Sequence, residues 1–290
     1  MENQLVDLHA HSYYSDGTLS PEQLLDLAEE KGLFALALTD HNTVAGLAEF
    51  MAAAEGRSLE AVPGVEFSVD YLGIELHILG LFMDPDGYEK IAARMDEGCR
   101  SKEASNVALV EALAKDGYYL DYEAIKASTP GGMINRAHIA AAMLEAGYID
   151  SVQEAFRTLL APGNGYYTLP ARMDAFDVIR MIRRLGGVSV LAHPFLNLKE
   201  EADLRTFLEK AKPCGLDGME TTYSLFDEAQ TARLEALADE FGLLRSGGSD
   251  FHGGTKPYIA IGTGKGNLEI PAQYYFELKA RKKMRMAEKI

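Results

Sequence analysis

The chain is poor in sulfur, in positive charge and in long apolar runs. Its 290 residues include two cysteines, Cys99 and Cys214, far apart and without CxxC spacing. That excludes the disulfide framework of a small secreted protein and a cysteine-rich zinc site. Lys and Arg number 28 against 44 Asp and Glu, a net charge of −16. An acidic exterior repels duplex nucleic acid, so general DNA binding is not expected. The opening MENQLVDLHAHS has no basic stretch followed by an apolar one, and no run reaches the length of a membrane span. No membrane association is expected, and the cytoplasm is the expected compartment. Internal repeats and low-complexity tracts are also missing.

What remains is 47% hydrophobic, enough for a sizeable core. Short apolar runs alternate with helical patterns. Strands are predicted over 4–8, 34–39, 59–65, 74–81, 188–192, 218–221 and 243–246. Helices are predicted over 44–54, 174–185, 201–212 and 227–241, and another starts at Ser20-Pro21-Glu22-Gln23, where serine and glutamine make a capping box. This rhythm predicts an α/β fold with a parallel sheet, open or closed. Between about 87 and 160 the pattern is helical instead, with helices over 108–115, 122–127, 137–146 and 152–160. The expected organisation is a barrel in two parts, 1–97 and 169–290, split by a helical insertion at 98–168.

Six of the seven histidines fall at or just after predicted strand ends: His9, His11, His41, His77, His193 and His252. Asp16, Glu66 and Asp250 sit at or near the same level. In a βα barrel the C-terminal strand ends converge on one face, where active sites are built. Imidazoles mixed with carboxylates suit manganese, zinc or iron(II), whereas calcium takes oxygen ligands alone. Nine ligands are too many for one ion and enough for three.

The strings DLHAHSYYSDG, TDHN, PGVE, AHP and GGSDFHG resemble the successive motifs of the PHP (polymerase and histidinol phosphatase) family, over about 1–82 and 186–255. The resemblance implies a distorted (β/α)7 barrel, a trinuclear metal centre and hydrolysis of phosphate esters. On the matching positions, it implies His9, His11, Glu66 and Asp250 around one metal. It implies Glu66, His77 and His193 around a second, with Glu66 as bridge, and Asp16, His41 and His252 around a third. Glu66, Asp250 and His193 are the expected catalytic residues. The chain lacks the bulk of a polymerase. With its helical insertion it resembles the branch acting on nucleotide 3′,5′-bisphosphates and on the 5′ ends of short oligonucleotides. Three divalent ions against three carboxylates would leave about +3 in the pocket, so phosphate is attracted despite the acidic exterior. A hydroxide shared by two metals is the expected nucleophile.

Further signals are weaker. In NRAHIAAAMLEAG, Asn135 is placed to cap a helix whose first turn carries Arg136 and His138, an expected contact for a second phosphate. Arg100, Ser101 and Asn106 open the insertion, with Arg100 and Asn106 taken as further substrate contacts. Tyr223, Tyr166 and Tyr167 are candidates for stacking on a base. Asp40 reads either as acceptor for an imidazole N–H or as a strand-end cap. GTGKGN at 262–267 lacks the spacing of a phosphate loop. Competing activities are histidinol-phosphate hydrolysis and amide or lactone hydrolysis, the latter weakened by the want of a strand-end lysine. A non-catalytic nucleic-acid module is disfavoured by the full ligand set and the charge.

Overall fold

A computed structural model describes residues 4–129, 134–161, 163–168 and 172–287, apart from the side chain of Cys99. The chain forms two compact units, one from Met1–Ala92 with Met173–Ile290 and one from Ala93–Arg172. Pro130-Gly131-Gly132, which interrupts the helical pattern of the sequence, lies outside the described residues.

The first unit opens with β1 (Val6–Ala10), α1 (Pro21–Glu30), β2 (Ala35–Leu38), α2 (Leu47–Ala53), β3 (Glu60–Tyr71) and β4 (Ile74–Leu81). Helix α3 (Tyr88–Lys115) carries the chain into the second unit, which contains α4 (Tyr122–Ser128), α5 (Arg136–Glu145) and α6 (Val152–Arg157). The first unit then resumes with β5 (Met173–Asp174), α7 (Ala175–Arg184), β6 (Val188–Leu191), α8 (Pro194–Asn197), α9 (Glu201–Cys214), β7 (Gly218–Tyr223), α10 (Glu228–Phe241), β8 (Leu244–Gly248) and α11 (Ala272–Ala287). The Ser20–Gln23 capping box forms as the sequence predicts. Helix α11 was not foreseen, and α3 reaches twenty residues further upstream than the helix predicted over 108–115. Gly98 lies inside α3; a helical glycine costs roughly 1 kcal/mol against alanine, too little to end a helix that long.

Seven strands follow the order β1-β2-β3-β4-β6-β7-β8, and short β5 pairs with β3. The ring comes close to closing where β8 returns to β1: Asp250 N–H donates to His9 O and His11 N–H to Phe251 O, both at 2.9 Å. This is the distorted (β/α)7 barrel. One strand departs from the expected parallel sheet, because β4 is antiparallel to both β3 and β6. β3 does not stop at residue 65 but runs to Tyr71 and turns tightly into β4. The two turn residues, Leu72 and Gly73, have φ of +54° and +83°. Two positive φ values match the twist of a hairpin, and glycine takes the second without strain.

Alternate residues of the strands, including Val6, Leu8, Val62, Leu79 and Val190, form one buried cluster with Tyr275 and Leu278 of α11. α11 is fastened by Arg285, whose Nη1 and Nη2 donate to Asp217 at 2.8 and 2.6 Å. The helical unit has its own core around Leu109, Leu113, Ile139 and Met143.

Candidate metal centre

The strand ends deliver the expected ligands one by one. His9 is the fourth residue of β1 and His11 follows that strand; Asp16 lies in the loop before α1 and His41 after β2. His193 follows β6, and Asp250 and His252 follow β8. Glu66 and His77 differ from expectation, for both lie inside strands. His77 reaches the same face because β4 runs backwards, so its early residues sit beside the late residues of its neighbours. The ligand-bearing backbone is strained at two points: Asp250 has φ +57° and His193 φ +28°. Non-glycine residues hold such angles only when their surroundings over-determine them.

Among the described residues, three groups bring their ligand atoms within 4.8 Å of one another: His9, His11, Glu66 and Asp250; His11, Asp16, His41 and His252; and His41, Glu66 and His77. The first is the set implied by the family resemblance, and the second adds His11 to the expected three. In the third, His41 stands where His193 was expected. Glu66 divides its two oxygens. Oε1 lies 2.7 Å from His77 Nδ1 and 3.1 Å from His193 Nε2. Oε2 lies 3.1, 3.2 and 3.1 Å from His9 Nε2, His11 Nε2 and His41 Nδ1.

These residues fit metal ions on two counts. Ligands about 2.0–2.2 Å from one ion in a tetrahedral array stand about 3.3–3.6 Å apart. His9 Nε2 and His11 Nε2 are 3.1 Å apart, and Asp250 Oδ1 is 3.6 and 3.2 Å from them. Second, several buried polar atoms of these residues have no hydrogen-bond partner. Glu66 Oε2 has no hydrogen bond despite its three close nitrogens, and His11 Nδ1, His41 Nδ1 and His193 Nδ1 are likewise buried and unsatisfied. Buried polar atoms without partners are rare because each costs its full desolvation penalty.

Without cations, protons must balance the carboxylates. Burial pulls His11 down, but Asp250 and Glu66 outweigh it and push the imidazole up to about 9. His77 rises against burial to about 10 on the charge of Glu66. Burial resists charge on Glu66 and Asp250 too, yet both are held well below the usual carboxylate range by the imidazoles around them. Desolvation, joined by the charge of His11 and His77, brings His41 down to about 3. A metal ion replaces the protons on His11 and His77.

Glu220 of β7 was missed by sequence reading. Fully buried, it takes His9 Nδ1 at 3.0 Å on Oε1 and accepts from His193 N–H at 2.7 Å on Oε2. It thereby turns His9 Nε2 towards the cluster and fixes the strained backbone of His193. A glutamate among the apolar and small residues of a buried strand was the available signal. Asp40 takes the second of its two readings in a wider form: it accepts from Ser12 N–H, Ser12 Oγ and Ser15 Oγ at 2.8, 2.6 and 2.6 Å, bracing the loop that carries Asp16. In GTGKGN, Gly262 N–H donates to buried Asp7 at 2.8 Å. Tyr223 is 3% exposed, and its hydroxyl donates to Asp250 Oδ2 at 2.8 Å.

In the helical unit, Asn135 Oδ1 accepts from Ala137 N–H and His138 N–H, and His138 Nδ1 accepts from Asn135 N–H. Arg136 Nη1 donates to Leu160 O at 3.0 Å, with the guanidinium 4.3 Å from the centre of the Tyr167 ring. Two positions apart on a helix, Arg136 and His138 point about 200° away from each other. Asn106 is buried and donates to Ile134 O at 2.9 Å; Arg100 is exposed on α3; Tyr166 bonds Asp116.

The PHP domain profile matches residues 7–166. The chain is 34% identical to a 5'-3' exoribonuclease of Haemophilus influenzae over 85% of its own length and 89% of the relative's. It is 33% identical to a 3',5'-nucleoside bisphosphate phosphatase of Chromobacterium violaceum over 85% and 87%. A solved structure from Bifidobacterium adolescentis, described as a metal-dependent phosphoesterase, superposes with a TM-score of 0.78 at 28% identity, covering 96% of both chains. The chain belongs to the PHP domain family. Within that family it is a metal-dependent phosphohydrolase, an enzyme that uses divalent cations.

Proposed function

We propose that the chain hydrolyses a phosphate ester of a small nucleotide bearing a second phosphate, or of the 5′ end of a short oligonucleotide, with three divalent ions of manganese, zinc or iron(II). The observation that carries the reading is the divided carboxylate of Glu66, each oxygen facing a different set of imidazoles. One side chain shared in this way supports ions held at a short, fixed separation. When bound, such ions supply Lewis acidity and bring the pKa of water from 15.7 towards roughly 7. Glu66, Asp250 and His193 are the residues nearest that chemistry, and Glu220 and Tyr223 hold them in place. The activities for which the relatives are named support the nucleotide, and the net charge of −16 speaks against duplex DNA as substrate. Arg136, His138, Arg100 and Asn106 enter as substrate contacts on the strength of the insertion's sequence alone. The enzyme is taken to be cytoplasmic; among the described residues no helix is long and apolar enough to cross a membrane.

The test is phosphate release by metal-loaded protein from adenosine 3′,5′-bisphosphate, 5′-phosphorylated short oligonucleotides and histidinol phosphate. One of the first two should be the best substrate. Preference for histidinol phosphate overturns the nucleotide assignment. Elemental analysis of protein saturated with manganese should approach three ions per chain, and a plateau at one refutes the trinuclear arrangement.

A further inference from the structure

Asp250 is treated differently on its two sides. Oδ1 faces His9, His11 and His252, at 3.6, 3.2 and 3.4 Å from their nitrogens. Oδ2 receives Tyr223 Oη at 2.8 Å and Lys256 Nζ at 2.7 Å. The backbone cannot re-aim the group: Asp250 N–H is bonded to His9 O, its carbonyl accepts from His252 Nδ1, and its φ is +57°. Tyr223 is buried, while the Lys256 side chain is 32% exposed and follows directly on the short 3-10 turn Gly253–Thr255 after β8.

We propose that Lys256 and Tyr223 act as positioning residues that keep Asp250 a one-oxygen ligand, and so hold open a coordination position that a chelating carboxylate would occupy. The inference rests on the metal-dependent reading above. A carboxylate free on both oxygens can take a cation with both. A catalytic site differs from a structural one in keeping a position for water or substrate. Two donors on Oδ2, one of them a full positive charge, oppose the two-oxygen mode. Lys256 also places its charge beside the ion, which weakens binding. The arrangement therefore gives up affinity for an open position.

That trade predicts an unusual split for Lys256→Met. Removing an outer hydrogen-bond partner ordinarily costs about 10–100-fold in metal affinity or activity. Here manganese affinity, measured by isothermal titration calorimetry on metal-stripped full-length protein, should hold or tighten. The kcat for p-nitrophenyl phosphate at saturating metal should fall about ten-fold or more. Lys256→Arg keeps charge and donor and should recover most of the loss. Tyr223→Phe removes a donor without charge, so it should lower kcat less and leave affinity near that of the parent. Weakened binding in Lys256→Met with kcat restored by excess metal overturns the proposal, as does unchanged kcat. If the parent protein binds no manganese, the metal-dependent reading itself fails, which the same titration reveals separately.

Discussion

In the barrel unit His9, His11, Glu66 and Glu220 have no solvent exposure, and two of their polar atoms, His11 Nδ1 and Glu66 Oε2, have no hydrogen-bond partner. In the helical unit Asn135, Asn106 and Arg136, singled out in the sequence, bond neighbours of the same unit. Asn135 caps α5, Asn106 serves Ile134, and Arg136 serves Leu160 and Tyr167. One unit stores unsatisfied charge at a point; the other spends its polar groups on its own architecture. A buried cluster with unsatisfied atoms points to a cation by its cost, whereas polar groups already bonded within their own unit point to no ligand.

The contrast breaks most sharply at Glu66. Glu66→Ala removes the carboxylate common to two ligand groups, and kcat on p-nitrophenyl phosphate should fall by orders of magnitude together with metal content. A folded, fully loaded variant with near-parent turnover means the cluster is not the catalytic site. Glu220→Gln comes next. It keeps the shape beside His9 and His193 but removes the charge that orients them, and should cost about 10–100-fold in metal affinity or activity. An unchanged titration curve would reduce Glu220 to a packing residue.

A smaller effect is expected from the other unit. Arg136→Ala should lower kcat/KM for a nucleotide 3′,5′-bisphosphate about ten-fold, the lower end of what a charged hydrogen bond of ~1.5 kcal/mol gives, and leave p-nitrophenyl phosphate nearly untouched. Equal losses on both substrates assign Arg136 to the fold, through Leu160 and Tyr167.

The smallest effect is a pH signature of the protons that stand in for metal. His11 and His77 ionise at about 9 and 10 in the folded, metal-free protein, raised from 6.5. Groups raised on folding contribute stability that is full below pH 6.5 and lost as pH climbs through 9 to 10. Thermal melts of metal-stripped protein should therefore show Tm falling across that window, while the manganese-loaded protein, its imidazoles already deprotonated, should not share the fall. Parallel curves for the two forms exclude this exchange of proton for metal.

The barrel and the clustering of candidate ligands were legible because most of those residues sit beside an apolar run, and that signal is local. His77 shares the face of the other candidates for a reason the sequence does not carry, since apolar periodicity gives no strand direction and only pairing with β3 and β6 shows that β4 is reversed. Glu220 escaped because it lies within a strand rather than at its end. Lys256 escaped because its relation to Asp250 depends on how the chain turns after β8. Helix α11 was not anticipated, although Tyr274, Tyr275 and Leu278 form its buried side. For Arg136 and His138 the cap was readable and the direction of each side chain was not.

Ownership of the ligands is shared: His11, His41 and Glu66 each belong to two of the three groups. Filling one position therefore withdraws an imidazole from protonation, or fixes a carboxylate, that its neighbour also needs. With the ions proposed above, occupancy would be a property of the assembly, each shared side chain coupling one position to the next. A chelator would then strip the centre in linked steps rather than by independent dissociations.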